Sequence, residues 1–479
     1  MGALLLRGDF PFMDRIEKVK NKVNKLVNRG LDRHMRLAVT GLSRAGKTAF
    51  ITSLINQLLH SGTNPRLPLF TPAREGQLLG ARRVPQGQLH IPSFDYDQGI
   101  HALRSSPPSW PVPTRDVSEI RLELRYRPES GPLRLLKDTA TLYLDIVDYP
   151  GEWLLDLPLL SMSFVEWSAK QRSVLNGRRR ELAEQWLTEI SELDMLAEAD
   201  ERQIKHLSGL YTEYLHKCKD EAGLHWVQPG RFVLPGEYAG APVLEFFPIV
   251  SDKLSESALS SAPPNSLFSL MKKRYDYYCE HVVKDFYKEH FSQVDRQIVL
   301  VDTLQPLNAG PDSFNDMRQA LEQLMQSFRY GKSGLLRRLF SPRIDRILFA
   351  ATKADHVTPD QHPNLVSLLQ QLIHEAWQTA AFEGIDMECV SLSSIQATEP
   401  GNVDHKGETL PALRGTLESG EAMLMYPGEV PARLPGESFW QSQGFEFRQF
   451  RPMPGPSDEP LPHIRIDKAL QYLLGDKLK

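Results

Sequence analysis

Residues 41 to 48 read Gly41-Leu42-Ser43-Arg44-Ala45-Gly46-Lys47-Thr48, directly after the apolar run Leu37-Ala38-Val39 and ahead of the helix-compatible stretch Ala49-Phe50-Ile51-Thr52-Ser53-Leu54-Ile55. No other stretch of the chain restricts its fold as tightly. Glycines at both ends let the backbone curl so that successive N–H groups, from Ser43 to Ala49, converge on an anion. The helix that follows adds the positive end of its dipole. In that frame Lys47 reaches the outer phosphates of a nucleoside triphosphate and the Thr48 hydroxyl ligates Mg²⁺. The pattern predicts a P-loop joining a buried strand to a helix.

The rest of the chain has the rhythm such a loop requires. Val117 to Tyr126 and Ala140 to Val147 alternate in polarity, and the turn-rich Arg127 to Pro132 between them predicts an antiparallel hairpin. Farther on comes the fully apolar run Ile298-Val299-Leu300-Val301, then the strand-like runs Ile347 to Ala351 and Cys389-Val390-Ser391-Leu392, with helix-periodic stretches at Asp312 to Tyr330 and Pro363 to Glu383 between them. Buried strands alternating with helices predict an α/β fold with a mostly parallel sheet and helices on both faces, which together with the P-loop is of the P-loop NTPase kind; the elements below make it GTPase-like. That domain spans residues 37–153 and 297–479. A long, charged, helix-periodic region, 154–296, reads as a mostly helical insertion. Nine prolines between Asn64 and Thr114 predict a long ordered loop with little regular structure.

Met13 to Arg36 carries a Val/Ile/Leu stripe with eight basic residues against three acidic ones, which predicts a basic amphipathic helix suited to peripheral contact with an anionic membrane or to a partner. Met1 to Phe12 reads as an extension ahead of this more coherent segment. The formal charge of −4 over 479 residues gives no global field for DNA or RNA, so no nucleic-acid partner is expected. Three cysteines, Cys218, Cys279 and Cys389, lie far apart without metal-ligand spacing, as expected of a reducing compartment. No apolar run approaches a membrane span, and the expected location is the cytoplasm, with peripheral inner-membrane contact through residues 13–36.

Two further elements narrow the nucleotide. The strand ending at Val147 delivers Asp148-Tyr149-Pro150-Gly151, an Asp-x-x-Gly element in which Asp148 holds Mg²⁺ and the Gly151 N–H meets the γ-phosphate. The strand ending at Ala351 delivers Thr352-Lys353-Ala354-Asp355, where an Asp355 carboxylate accepts both the N1 and N2 hydrogens of guanine and Lys353 covers the base. Ser393-Ser394-Ile395 lies one strand later, where Ser394 and Ile395 offer backbone contacts to the base. Thr114, ahead of the hairpin, is the expected γ-phosphate and metal sensor, with Thr71 in the same long loop as the competing choice. Glu152 follows Gly151 and is the candidate for orienting or deprotonating the attacking water. Arg44 is a candidate for charge stabilisation from within the P-loop, beside Lys47.

These residues, with Leu67-Pro68-Leu69-Phe70-Thr71-Pro72, Gly80-Ala81-Arg82-Arg83-Val84-Pro85, Trp153 and Pro462-His463-Ile464-Arg465-Ile466-Asp467, make the chain resemble the bacterial YcjX-type family of P-loop stress proteins from about Met13 onward. The resemblance implies a GTPase domain with large insertions, Mg²⁺ and GTP/GDP as ligands, a role in stress responses and an inner-membrane partner of YcjF type. A GTP-hydrolysing switch is the leading expectation. A non-hydrolysing nucleotide-bound scaffold for a membrane partner and an ATP-driven remodelling enzyme are the alternatives.

Overall fold

The computed structural model describes residues 33–479 apart from 64, 130–137, 251–255, 328–343, 383, 406, 442–444, 454 and 457. Its first element is a strand, β1 (Arg33–Gly41). The expected basic helix therefore does not extend to Arg36; its portion at 13–32, like the stretch 1–12, lies outside the described residues. Arg33 to Arg36 are taken up because β1 pairs in parallel with a neighbour from Arg33 onward. Arg36, expected on a solvated helix face, is buried and donates to Glu119 at 2.7 Å. Tertiary pairing overrides the local helical periodicity here.

After β1 come helix α1 (Lys47–His60), strand β2 (Leu78–Val84), helix α2 (Tyr96–Arg104), β3 (Ser118–Tyr126) and β4 (Ala140–Asp148). The expected hairpin is present, with β3 and β4 antiparallel and Leu122 opposite Leu144. The proline-rich stretch holds more regular structure than its composition predicts. β2 is an edge strand on β3, bulged between Leu78 and Gly80, and its exposed Arg82 pairs with Glu123. An edge strand needs only one apolar face and guards the other with charge, so its alternation is weak.

Beyond β4 run the helices of the insertion, including α3 (Glu201–His216) and α4 (Leu267–Tyr278), then β5 (Arg296–Val301), α5 (Pro311–Ser327), β6 (Arg346–Ala351), α6 (His362–Leu372) and β7 (Asp386–Ser391). The sheet order is β2-β3-β4-β1-β5-β6-β7, with β4, β1, β5, β6 and β7 parallel. Strands β8 (Thr398–His405), β9 (Glu408–Thr416) and β10 (Ala422–Met425) form a separate antiparallel sheet, and α7 (Ile466–Leu474) closes the chain. This second sheet lies within the region expected to be one α/β domain.

Alternate residues of the central strands enter two cores, as the two-residue strand period demands. Leu37, Val39, Ile298, Leu300, Leu348 and Ala350 pack with Phe50, Ile51 and Leu54 of α1 and Leu470 and Leu473 of α7. Ala38, Val299, Val301, Phe349 and Ala351 face the other way, into a core continuous with the insertion's Trp167, Trp186, Tyr211, Phe246, Tyr275 and Tyr278. Trp167 stacks on Tyr275 with ring centroids 5.2 Å apart. The insertion thus supplies a face of the sheet with its cover. No helix among the described residues is long and apolar enough to cross a membrane.

Candidate functional site

Register places Gly41 beside Leu300, Val301 beside Ala351, and Ala351 beside Ser391, so the carboxyl ends of β1, β5, β6 and β7 open at one edge. Open parallel sheets bind ligands at such an edge. From β1 the chain turns sharply, with Arg44 (φ 63°) and Gly46 (φ 82°) in the left-handed region, and enters α1 at Lys47. The first-turn N–H groups of α1 have no intrahelical partner and form an anion cradle with the loop.

Gly151 packs against this loop. A Cβ there would lie 2.2 Å from the Gly41 carbonyl oxygen, so only glycine lets the segment after β4 approach the P-loop so closely. The preceding Asp148 is 1% exposed, and neither carboxylate oxygen has a hydrogen-bond partner. Burial raises its pKa to about 6; Lys47 and Thr114 oppose the rise and Glu152 adds to it. Thr114 sits beside the loop, its hydroxyl 3.3 Å from that of Thr48 and its N–H donating to the Thr48 oxygen at the same distance. Thr71 lies elsewhere, its N–H bound by Gln471 of α7 at 2.8 Å. Thr48, Thr114 and a bare Asp148 carboxylate are hard oxygen donors of the kind Mg²⁺ takes alongside water and phosphate. Among the described residues no group of three or more His, Cys, Asp or Glu forms a metal cage.

Glu152 is 5% exposed and its Oε1 lies 2.8 Å from Nζ of Lys219. Burial works to raise its carboxyl, but Lys219 and then Lys47 outweigh it and hold it below the usual range. Lys219 belongs to a π-helical turn, Lys217–Glu221, that ends α3. Arg44 donates to the Asp220 carbonyl of the same turn at 2.9 Å. Ser43, Arg44, Gly46, Lys47, Thr48, Thr114, Glu152 and Lys219 line one chamber of about 630 Å³.

A second cavity of about 350 Å³ adjoins it, bounded by Ala45, Thr48 and Ala49 on one side and by Thr352, Lys353, Asp355, Ser394 and Ile395 on another. Lys353 (φ 59°) is pinned by Asp302 at 2.6 Å, and its ammonium stands 4.9 Å from the centroid of the Phe447 ring. The Thr352 hydroxyl donates to the Val301 carbonyl at 3.4 Å. Asp355 is buried and takes the Ala397 N–H at 2.7 Å, with His356 3.2 Å away. Burial acts to raise its carboxyl, but His356, the Ala397 N–H and Ser393 outweigh it and hold it low. A carboxylate offers about four lone-pair sites, so acceptor capacity remains for a ligand beyond these partners.

The structure thus brings together every sequence-selected residue except Thr71. It adds five that sequence reading missed: Lys219, Asp302, Trp110, Phe447 and Phe450. Trp110 donates to the Phe450 carbonyl at 2.9 Å, closing the base-sized cavity from the far side. Asp302, directly after the apolar β5, carried a legible signal as an acid at a strand tip. Lys219 and Phe447 carried none.

The family described as YcjX-like, DUF463, matches residues 35–478. A Ras-like GTPase YcjX of Escherichia coli strain K12 is 58% identical over 466 residues, covering 97% of this chain and all of that protein. A Ras-like GTPase YcjX of Shewanella oneidensis strain MR-1 is 47% identical over 478 residues, covering 97% of this chain and 99% of the relative. With a family match across nearly the whole described chain and two full-length relatives, this protein belongs to the YcjX-like family.

Proposed function

We propose that this protein binds and hydrolyses GTP with Mg²⁺ and acts as a nucleotide-dependent switch in a bacterial stress response. The observation that carries the reading is the buried Asp148 carboxylate, acted on by Lys47 and Thr114, together with the paired hydroxyls of Thr48 and Thr114 at the mouth of the P-loop. Its relatives' name, Ras-like GTPase, supports the same chemistry.

In this reading Lys47 and the N–H groups of residues 43–49 bind the phosphates, Arg44 ties the loop to the insertion, and Thr48, Thr114 and Asp148 would hold Mg²⁺, which would supply charge neutralisation at the phosphoryl oxygens. Asp355 selects guanine by accepting hydrogen bonds from its N1–H and its exocyclic N2–H, a donor pair that adenine does not offer. Glu152 orients a water. Its oxygen forms the new bond to the γ-phosphorus, the bond to the β–γ bridging oxygen breaks with its electrons leaving on GDP, and Glu152 takes the water's proton. Loss of the γ-phosphate frees Gly151 and Glu152, and through them the insertion, to change a surface offered to a YcjF-type inner-membrane partner. The N-terminal basic segment supplies peripheral membrane contact to a cytoplasmic protein.

Titration with GDP and ADP, followed by single-turnover hydrolysis of GTP with and without Mg²⁺, tests the reading. Tight GDP binding, weak ADP binding and metal-dependent turnover are expected; equal affinities or no turnover overturn it.

A further inference from the structure

Glu152 is held by the insertion from two sides. In front, Nζ of Lys219 lies 2.8 Å from its carboxylate, both side chains largely buried, at 13% and 5% exposure. Behind, Gly230 packs so tightly that a Cβ would fall 2.1 Å from the Glu152 carbonyl oxygen. The turn that carries Lys219 is itself moored to the P-loop, because Arg44 donates to the carbonyl of the next residue, Asp220. That turn is π-helical, a geometry concentrated at functional sites.

A glutamate here poses an electrostatic problem. A carboxylate in a phosphate chamber repels the substrate, and a carboxyl buried without a counter-charge keeps its proton and cannot take one from water. The groups acting on Glu152 are Lys219, Lys47, Asp148 and His225. Lys47 belongs to the phosphates, Asp148 is an acid, and His225 is buried with its pKa lowered, chiefly by that burial. Lys219 is the cation left to neutralise the acid.

Resting on the GTPase reading above, we propose that Lys219 is a positioning residue for hydrolysis. Supplied by the insertion, it keeps Glu152 ionised, aims it into the phosphate chamber and cancels its charge towards the triphosphate. Hydrolysis then depends on the seating of the α3 turn, so the insertion is part of the catalytic apparatus as well as the cover of a sheet face. A partner that lifts this turn switches hydrolysis off without touching the nucleotide.

Steady-state GTP hydrolysis by the full chain tests this, with Lys219→Met, Lys219→Gln and Lys219→Arg. The Met and Gln variants are expected to lose about 10- to 100-fold in kcat, with KM and GDP affinity within about threefold of the parent. Lys219→Arg restores most of the rate. In Lys219→Met the acid limb of the kcat profile moves to higher pH, because Glu152 loses the main charge that holds it low. The double variant Glu152→Gln/Lys219→Met is expected to be no slower than Glu152→Gln alone, since the lysine acts through the acid. A Lys219→Met or Lys219→Gln protein with parental kcat and pH profile, or strictly additive losses in the double variant, overturns the inference alone. A wild-type protein that turns over no GTP overturns the GTPase reading, and this inference with it.

Discussion

Gly230 lies directly behind Glu152, close enough that the smallest side chain would enter the van der Waals radius of the Glu152 carbonyl oxygen. Gly230→Ala must therefore move either the insertion or the segment after Asp148. Overpacking of this kind costs about 1–3 kcal/mol. Thermal unfolding should show the loss, and the rate of GTP hydrolysis should fall with it. Gly209, in the middle of α3 with open space where a Cβ would go, is the matched control. There Gly209→Ala should raise stability by about 1 kcal/mol, and a loss would refute the open space beside Gly209.

If Asp148 is the proposed metal ligand, it should set a pH dependence for nucleotide binding. Its carboxyl, raised to about 6 chiefly by burial, holds a proton below that pH in the absence of metal, and a cation must displace the proton. Mg²⁺-dependent GTP affinity should fall about tenfold per pH unit below 6 and level off above it. In Asp148→Asn both the metal dependence and this slope should disappear. Calorimetric titration between pH 5 and 8 measures both, and a flat wild-type profile would exclude Asp148 as the ligand.

Asp355 and Phe447 make separable contributions to the base cavity. Asp355→Ala removes a buried acceptor pair and should weaken GDP binding by about 100-fold or more while leaving ADP binding little changed. Phe447→Ala removes the ring facing Lys353 and should cost about tenfold for either nucleotide. If Asp355→Ala weakened GDP and ADP alike, the carboxylate would not be the guanine-selecting group.

Asp156, in the insertion core, gives a stability signal of opposite sign to an ordinary paired acid. Burial lifts its carboxyl to about 7 from 3.8, against hydrogen bonds from Tyr278 and Gly230 that pull it down. Between those values the folded protein keeps a proton that the unfolded chain has lost. The contribution is thus complete below about pH 4 and is lost as pH rises through 7, a change of about 4 kcal/mol. Asp156→Asn carries no such titration, so its stability relative to wild type should improve steadily from pH 4 to 8 in denaturant unfolding. A constant difference would show that Asp156 is ionised throughout.

What could be read without coordinates was whatever a local pattern encodes. The P-loop, Asp148 to Glu152 and Thr352 to Asp355 each combine a strand end with the residues that turn the chain, so adjacent positions carry both structure and chemistry. The parallel sheet was legible because strands buried on both faces read as unbroken apolar runs such as Ile298 to Val301. Two classes of feature were not legible. Edge strand β2 buries one face only, and its Gly80 and the following Pro85 resemble loop punctuation. Lys219 and Phe447 reach the site through long-range packing, and nothing around either residue distinguishes it from an ordinary helix lysine or loop phenylalanine.

Strand β1 lies between β4 and β5, and the helical insertion departs from one of these neighbours and returns to the other. It therefore straddles the P-loop strand like a yoke, attached on both flanks. Its two attachments, after β4 and before β5, lead directly into the two ladders that flank β1. In the proposed switch, a protein that grips those helices would act on the P-loop from a distance, with no need to enter the cleft.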